Sequence, residues 1–147
     1  MTKNILKNYI YTGFGFPVKL HNVELIEFHG EMHPKIDIRK LSEEVIKSLV
    51  LQKERLTGNQ IKFIRTYFAM SLREFASIVN ESHTAIKKWE DYGDGKTKMD
   101  KNIEIMLRLH IYDHVVMKNK KDNKNKIKFY NQFTALTEIF SYSQAAN

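Results

Sequence analysis

The chain has 147 residues and a formal net charge of +7 at pH 7, with 42% hydrophobic and 12% aromatic residues. This composition predicts one ordinary domain or two small ones with a packed core, and argues against a largely disordered chain. Because the sequence has no cysteine, disulfides and thiolate metal sites are excluded. No apolar run is long enough to span a membrane, and the N-terminus lacks the apolar core of a signal peptide. We therefore expect a cytoplasmic protein.

The first segment, residues 1–55, is predicted to be a β-rich module with one helix. Short β-like pieces lie between Tyr9 and Phe28. The dipeptide His21-Asn22 is a plausible turn of a β-hairpin between two of these pieces. Gly30 and Pro34 then predict a loop. The module is therefore expected to be a small hairpin or sheet that leads into a helix.

Capping residues mark the starts of the predicted helices. Apolar residues recur at helical spacing from Ile38 to Leu51, and Asp37 is placed to cap that helix. Two capping boxes follow, in which a hydroxyl residue is matched three positions later by Glu or Gln. Their members are Thr57 with Gln60 and Ser71 with Glu74. Ser82 can cap the next helix, and a last one is predicted over about 102–115.

The second segment, residues 56–117, is predicted to be all-helical. Phe75, Ala76 and Val79 supply the inward face of the helix that begins near Ser71. Ile86 and Trp89 lie three positions apart on the next helix and are expected to pack against them. The last helix is predicted to present Ile103, Met106, Leu107 and His110 or Ile111 to the same core.

The stretch from Met70 to Glu90, MSLREFASIVNESHTAIKKWE, resembles the lambda-repressor-like (Xre-type) helix-turn-helix. The resemblance is carried by Ser71, Glu74, Phe75, Ala76, Val79, Ser82, Ile86, Lys88, Trp89 and Glu90. It implies a domain that lays its second motif helix in the major groove of DNA, commonly as a two-fold dimer. Two positions depart from the family pattern. Leu72 replaces a frequent glutamine, and Asn80 replaces the usual turn glycine.

The exposed face of the second motif helix carries the predicted DNA contacts. Thr84 and Lys88 are the candidates for base contacts, because lysine donates to guanine and threonine meets the thymine methyl group. His83 and Lys87 are expected to divide base and phosphate contacts between them. The remaining predicted DNA-binding residues are Ser71, Arg73 and Ser82. The alternative interpretation of the same pattern is an ordinary solvent-exposed stripe.

The β-rich module followed by RLTGNQIKFIR and this motif resembles the MqsA/YgiT-type antitoxins of bacterial toxin–antitoxin pairs. That family implies an N-terminal module that binds a ribonuclease toxin and a C-terminal module that dimerises and represses its own operon. The family's zinc-binding cysteines are missing here. His29 and His33 lie near the position that one cysteine pair occupies in the family. A structural zinc site needs four ligands, however, and two histidines do not supply them. We therefore predict surface histidines, no metal and no cofactor.

The C-terminal part of the sequence combines a basic linker with an amphipathic helix. Lysines crowd residues 118–126, which predicts a solvated linker that can also touch phosphates. Residues 127–147 follow with Phe129, Phe133, Leu136 and Phe140 at helical spacings. This helix either packs on its own domain or binds a second copy or a partner.

The complete prediction is an α+β chain: a small N-terminal β-hairpin or sheet plus helix, a lambda-repressor-like helix-turn-helix domain and a C-terminal helix. The predicted function is that of a DNA-binding antitoxin. It would neutralise a ribonuclease-type toxin by direct binding and repress its operon as a homodimer on operator DNA. The alternative is a stand-alone repressor without a toxin. An enzyme is not expected, because the sequence has no nucleophile–base pair, phosphate-binding loop or metal-ligand cluster.

Overall fold

The structure, a computed structural model, describes residues 4–115. A three-stranded antiparallel sheet precedes five helices within this range. The α+β fold class predicted from the sequence is therefore confirmed. The predicted linker at 118–126 and helix at 127–147 lie outside the described residues. The elements are β1 (Ile5–Tyr11), β2 (Val18–Phe28), β3 (Glu31–Pro34), α1 (Ile38–Leu51), α2 (Gly58–Tyr67), α3 (Leu72–Val79), α4 (His83–Glu90) and α5 (Lys101–Val115).

The chain divides into two compact units, one reaching to Val45 and the other beginning at Ile46. The division falls inside α1, whereas the sequence placed it between residues 55 and 56. The first unit is referred to below as the sheet unit and the second as the helical unit. None of the helices among residues 4–115 has the length and apolar character needed to cross a membrane.

The sheet has the order β1-β2-β3, and its second strand differs from the prediction. The predicted hairpin turn at His21-Asn22 is wrong, because β2 runs through it without interruption. Asn22 does adopt the left-handed conformation of a turn residue, with φ of 56°. The pairing register with β1 is nevertheless the same on both sides of it. A single left-handed residue therefore distorts the strand locally without reversing the chain.

The reversal occurs seven residues later, at His29-Gly30. Both residues have positive φ, 50° and 77°, as a two-residue hairpin turn of the primed type requires. Glu31 pairs with Phe28 on the far side, and the segment to Pro34 forms β3. The predicted loop between Gly30 and Pro34 is thus a short strand.

The helical unit is built around a core contributed by all of its helices. The predicted inward residues of α3 and α4 are buried, and α2 adds Ile61, Phe63 and Ile64. On α5 the prediction was correct for Leu107 and Ile111. It was wrong for Met106, which is 57% exposed.

Two charged residues of α5, Glu104 and Arg108, are buried in the core instead, each only 1% exposed. Arg108 donates to the carbonyl oxygens of Leu49 and Val50 at 3.2 and 3.1 Å, which are among the last of α1. These carbonyls have no partner within their own helix, and the helix dipole favours a cation there. Arg108 therefore caps α1. This position costs the guanidinium its contact with water, and the burial disfavours the charged form and lowers the pKa of Arg108. Glu104 offsets that cost by accepting from Arg108 at 3.4 Å.

Candidate nucleic-acid interface

The turn between α3 and α4 is determined by local capping. Ser71 accepts a hydrogen bond from the Glu74 amide at 3.1 Å, and the Glu74 carboxylate accepts from the Ser71 amide at 3.3 Å. At the other end of α3, Asn80 adopts the left-handed conformation with φ of 54° and ψ of 47°. The Glu81 amide then donates to the Ala76 carbonyl at 2.9 Å, which closes the helix end.

Ser82 begins α4 by accepting from the Ala85 amide at 3.1 Å. Only Asn80, Glu81 and Ser82 separate the two helices. Asn80 therefore replaces the turn glycine, because asparagine tolerates the left-handed region. The caps predicted for α2, α3 and α4 are all present.

The buried sides of α3 and α4 pack together and leave one face of α4 open. Ile86 is fully buried and Trp89 is 8% exposed, while Phe75 and Ala76 of α3 are 1% and 3% exposed. The small side chain of Ala76 suits a close helix crossing. Exposed positions on α4 are Thr84, Lys87 and Lys88, and His83 is half-buried beside them. The structure thus brings the four predicted recognition residues onto one short helix.

The two lysines of this face differ in their partners. Lys87 Nζ lies 2.8 Å from Asp91 Oδ1, one helical turn away, and this hydrogen bond raises the pKa of Lys87. Both side chains are about 60% exposed, at 62% and 61%, so the pair is a weak surface interaction. The side chain of Lys88 makes no hydrogen bond or ion pair with the residues in the described part of the chain. Its ammonium group is therefore the more available donor.

Ser82 and Thr84 share a hydrogen bond of 2.9 Å between their hydroxyl groups. This contact holds the Thr84 side chain against the start of α4. The other predicted contact residues are Ser71, which caps the start of α3, and Arg73, which lies in its first turn; both are exposed. Within residues 4–115 Arg73 forms no ion pair, so its guanidinium is available to an external anion.

An ion pair that the sequence analysis missed fixes the far end of α4. The Arg65 guanidinium donates to both carboxylate oxygens of Glu90, at 2.7 and 3.0 Å. A third bond of 3.0 Å runs from Arg65 to the Met70 carbonyl, in the connection between α2 and α3. The bond to Glu90 raises the pKa of Arg65, so the guanidinium is charged at any working pH. The terminal Trp-Glu pair was the only sequence signal for this link.

A close backbone approach completes the support of α4. Its last carbonyls, those of Trp89 and Glu90, lie beside Gly58 at the start of α2. The Asn59 amide donates to the Gly93 carbonyl at 2.8 Å. The start of α2 and the end of α4 are therefore joined through main-chain contacts.

The histidines considered as metal ligands lie in the sheet unit. His29 occupies the β2–β3 turn and His33 lies on β3, with ring centroids 4.2 and 6.4 Å from that of Phe28. His33 Nε2 is 3.7 Å from the Glu31 carboxylate. Among residues 4–115 no group of three or more side chains is arranged to hold a metal ion.

Comparison of the chain with protein-family models, with curated proteins and with solved structures found no match.

Proposed function

We propose that this protein binds double-stranded DNA sequence-specifically, with α4 as the recognition helix. The observation that carries the proposal is the open face of α4, where Thr84, Lys87 and Lys88 are exposed together. Two capped helices joined by a three-residue turn present that face, as in proteins that insert one helix into the major groove. The net charge of +7 favours a polyanionic partner.

The contacts of each side chain suggest which residues contact bases and which contact phosphates. Lys88, without a described partner, is the candidate for guanine O6 and N7, and Thr84 presents a methyl group that suits thymine. Lys87 exchanges Asp91 for a phosphate or a base edge on binding. Ser71, Ser82 and Arg73 lie at the starts of α3 and α4, where phosphate contacts fix the register of the protein on the duplex.

The test compares Lys88→Ala with Lys62→Ala, which removes an exposed lysine from α2. The binding site is first selected from a random duplex library with the full chain, and affinities are then measured by fluorescence anisotropy. We expect Lys88→Ala to weaken binding to the selected site by about 1–3 kcal/mol and to relax the base preference. Lys62→Ala is expected to have a small effect that is equal on all sequences. Equal affinities of wild type and Lys88→Ala would remove Lys88 from the interface.

We further propose that the DNA-binding protein is the antitoxin of a type II toxin–antitoxin pair. It would act in the cytoplasm on its own operator, as a homodimer. The supporting observation is the end of the sheet unit around the β2–β3 turn, where Ile26 and Phe28 lie two positions apart on the same face of β2 and are 44% and 61% exposed. Apolar side chains grouped in this way mark a protein-binding surface. A ribonuclease toxin is the proposed partner.

This role is tested by co-expressing the chain with the product of the neighbouring reading frame, which the antitoxin proposal expects to be a small basic protein. We expect the neighbour to be toxic alone, harmless together with the wild type, and to co-purify with it. Phe28→Glu should abolish rescue and co-purification, whereas Lys88→Ala should leave both intact. If the neighbour stays toxic and no complex forms, the stand-alone repressor becomes the better description.

A further inference from the structure

The outer edge of β1 has few of the features that normally prevent sheet edges from associating. Among the described residues, β1 pairs with β2 on one side only. It is seven residues long, has no proline and carries Lys7 as its single charged side chain. The opposite edge strand, β3, has four residues and ends at Pro34, which lacks a backbone donor. Long, apolar and weakly charged edges such as β1 are templates for another strand.

The hydrogen bonds of the sheet show which backbone groups of β1 point outward. The Leu25 amide donates to the Asn4 carbonyl at 2.8 Å, so residue 4 faces β2. Along an antiparallel strand, the backbone N–H and C=O groups of successive residues point alternately to one side and to the other. The backbone groups that face the open edge therefore belong to Ile5, Lys7, Tyr9 and Tyr11.

The side chains of the strand are also incompletely covered. Ile5, Leu6 and Ile10 are 53%, 39% and 52% exposed. Leu6 and Ile10 lie on one face of the sheet, and Ile5 lies on the other. An added strand would cover apolar groups on both faces and satisfy the outward backbone groups at the same time.

We infer that the occupant of this edge is β1 of a second copy of the chain, antiparallel and centred on Asn8. In this register the outward residues pair Ile5 with Tyr11 and Lys7 with Tyr9 across the two-fold axis. Each such pair exchanges two backbone hydrogen bonds. Leu6 lies opposite Ile10 and Asn8 opposite itself. The residue pattern ILKNYIY is therefore self-complementary.

Repulsion between lysines and loss of paired residues favour this register over those centred one residue away. Centring on Lys7 would place the two lysines directly opposite each other, which is destabilising. Centring on Tyr9 would leave Ile5 beyond the paired region. With Asn8 at the axis, each Lys7 lies opposite a tyrosine ring, and like charges are not apposed. Such pairing is isologous, because the same surface serves both copies.

The inference rests on the sheet unit alone and does not require DNA binding. It goes beyond the proposed homodimer by naming the surface. The two sheets would join into one continuous sheet.

A single introduced cysteine tests the register directly, since the natural chain has no cysteine. Asn8→Cys places two thiols opposite each other in a non-hydrogen-bonded pair, where side chains are closest. We expect it to form a disulfide-linked dimer of the full chain under mild oxidation. The matched control is Leu6→Cys, whose two sulfurs would lie roughly four residues, or about 13 Å, apart along the strands. It should stay monomeric on a non-reducing gel.

Sedimentation equilibrium tests the same surface without a cross-link. Lys7→Pro removes an outward amide that makes no bond within the sheet, so circular dichroism should be unchanged. The dimer dissociation constant should rise by about tenfold or more, since each copy loses a donor. Lys7→Ala keeps the amide and should still dimerise.

Three results would overturn the inference: a monomeric wild type, dimerisation of Lys7→Pro as tight as that of the wild type, or equal cross-linking of the two cysteine variants. The first would leave the edge to a different protein, and the second would place the dimer contact elsewhere. None of them affects the comparison of Lys88→Ala with Lys62→Ala, so failure of this inference is distinct from failure of DNA binding.

Discussion

Gly58 is the residue at which two helices come too close for any side chain. A Cβ atom there would lie 2.6 Å from both the Gly93 nitrogen and the Trp89 oxygen, and 2.7 Å from the Glu90 oxygen. All three are backbone atoms, which cannot move aside as a flexible side chain does. The glycine is therefore required by packing and not by an unusual φ angle.

We predict that Gly58→Ala lowers the free energy of unfolding by about 1–3 kcal/mol, because the end of α4 must move away from α2. Gly95→Ala is the matched control, since its Cβ would meet nothing closer than the Tyr92 oxygen at 3.1 Å. Urea denaturation measures the free energy of unfolding of both variants. Equal losses in the two variants would mean that the contact with α4 is not the cause.

We expect His110 to make the stability of the helical unit depend on pH. Burial lowers the pKa of His110 below the usual 6.5, and nearby His114 adds to this while Asp113 opposes it. A base with a lowered pKa binds its proton more weakly in the folded state than in the unfolded one. Its stabilising effect is therefore complete above pH 6.5 and is lost as the pH falls through the folded-state pKa.

We predict that the free energy of unfolding declines between about pH 7.5 and about pH 5.5, and declines less in His110→Gln. Urea denaturation at the two pH values gives the comparison. If the variant declines as steeply as the wild type, another group causes the dependence.

At the scale of elements, the position of α4 depends on the link between Arg65 and Glu90. The side chains are 19% and 6% exposed, so the pair is shielded from water. We predict that Arg65→Met costs about 2–3 kcal/mol, because it leaves the Glu90 carboxylate buried without its cation. DNA affinity should fall with it, as the end of α4 is released.

The control is the double variant Arg65→Met/Glu90→Leu, which removes the stranded charge as well. It should recover part of the stability measured by thermal unfolding. A double variant as unstable as the sum of two independent losses would show that the two groups do not act as a pair.

The elements that the sequence predicted correctly are those determined by neighbouring residues. Helix α1 occurs at the predicted bounds because Asp37 caps it and its apolar period is regular. The caps Thr57, Ser71 and Ser82 each bind a backbone amide three residues away, so the sequence predicted them equally well. The Asn80 turn was predicted for the same reason.

The sequence failed where a distant partner decides the structure. Asn22 has the local conformation of a turn, but pairing with β1 keeps β2 extended. Arg108 lies more than fifty residues from the α1 carbonyls that it caps, so nothing near it signals burial. The Arg65–Glu90 link spans 25 residues. Local periodicity contains none of these pairings, and only the folded chain reveals them.

At the scale of the whole molecule, the two proposed surfaces lie in different units. The proposed DNA contacts belong to the helical unit, and the β1 edge belongs to the sheet unit. With α4 as the proposed recognition helix, a dimer would carry two such helices, and its operator should contain two half-sites. The second half-site is then bound at high effective concentration.

This coupling predicts how Lys7→Pro affects DNA binding. The affinity for a single half-site should be unchanged, because α4 is untouched. The affinity for the complete operator should fall by about a hundredfold, because the second contact is no longer tethered to the first. Anisotropy titrations with half-site and full-site duplexes separate the two effects, and Lys7→Ala serves as the control for lost charge. A parallel loss on both duplexes would mean that the substitution damages the helical unit, and full-site affinity equal to that of the wild type would show that DNA-bound copies join through another surface.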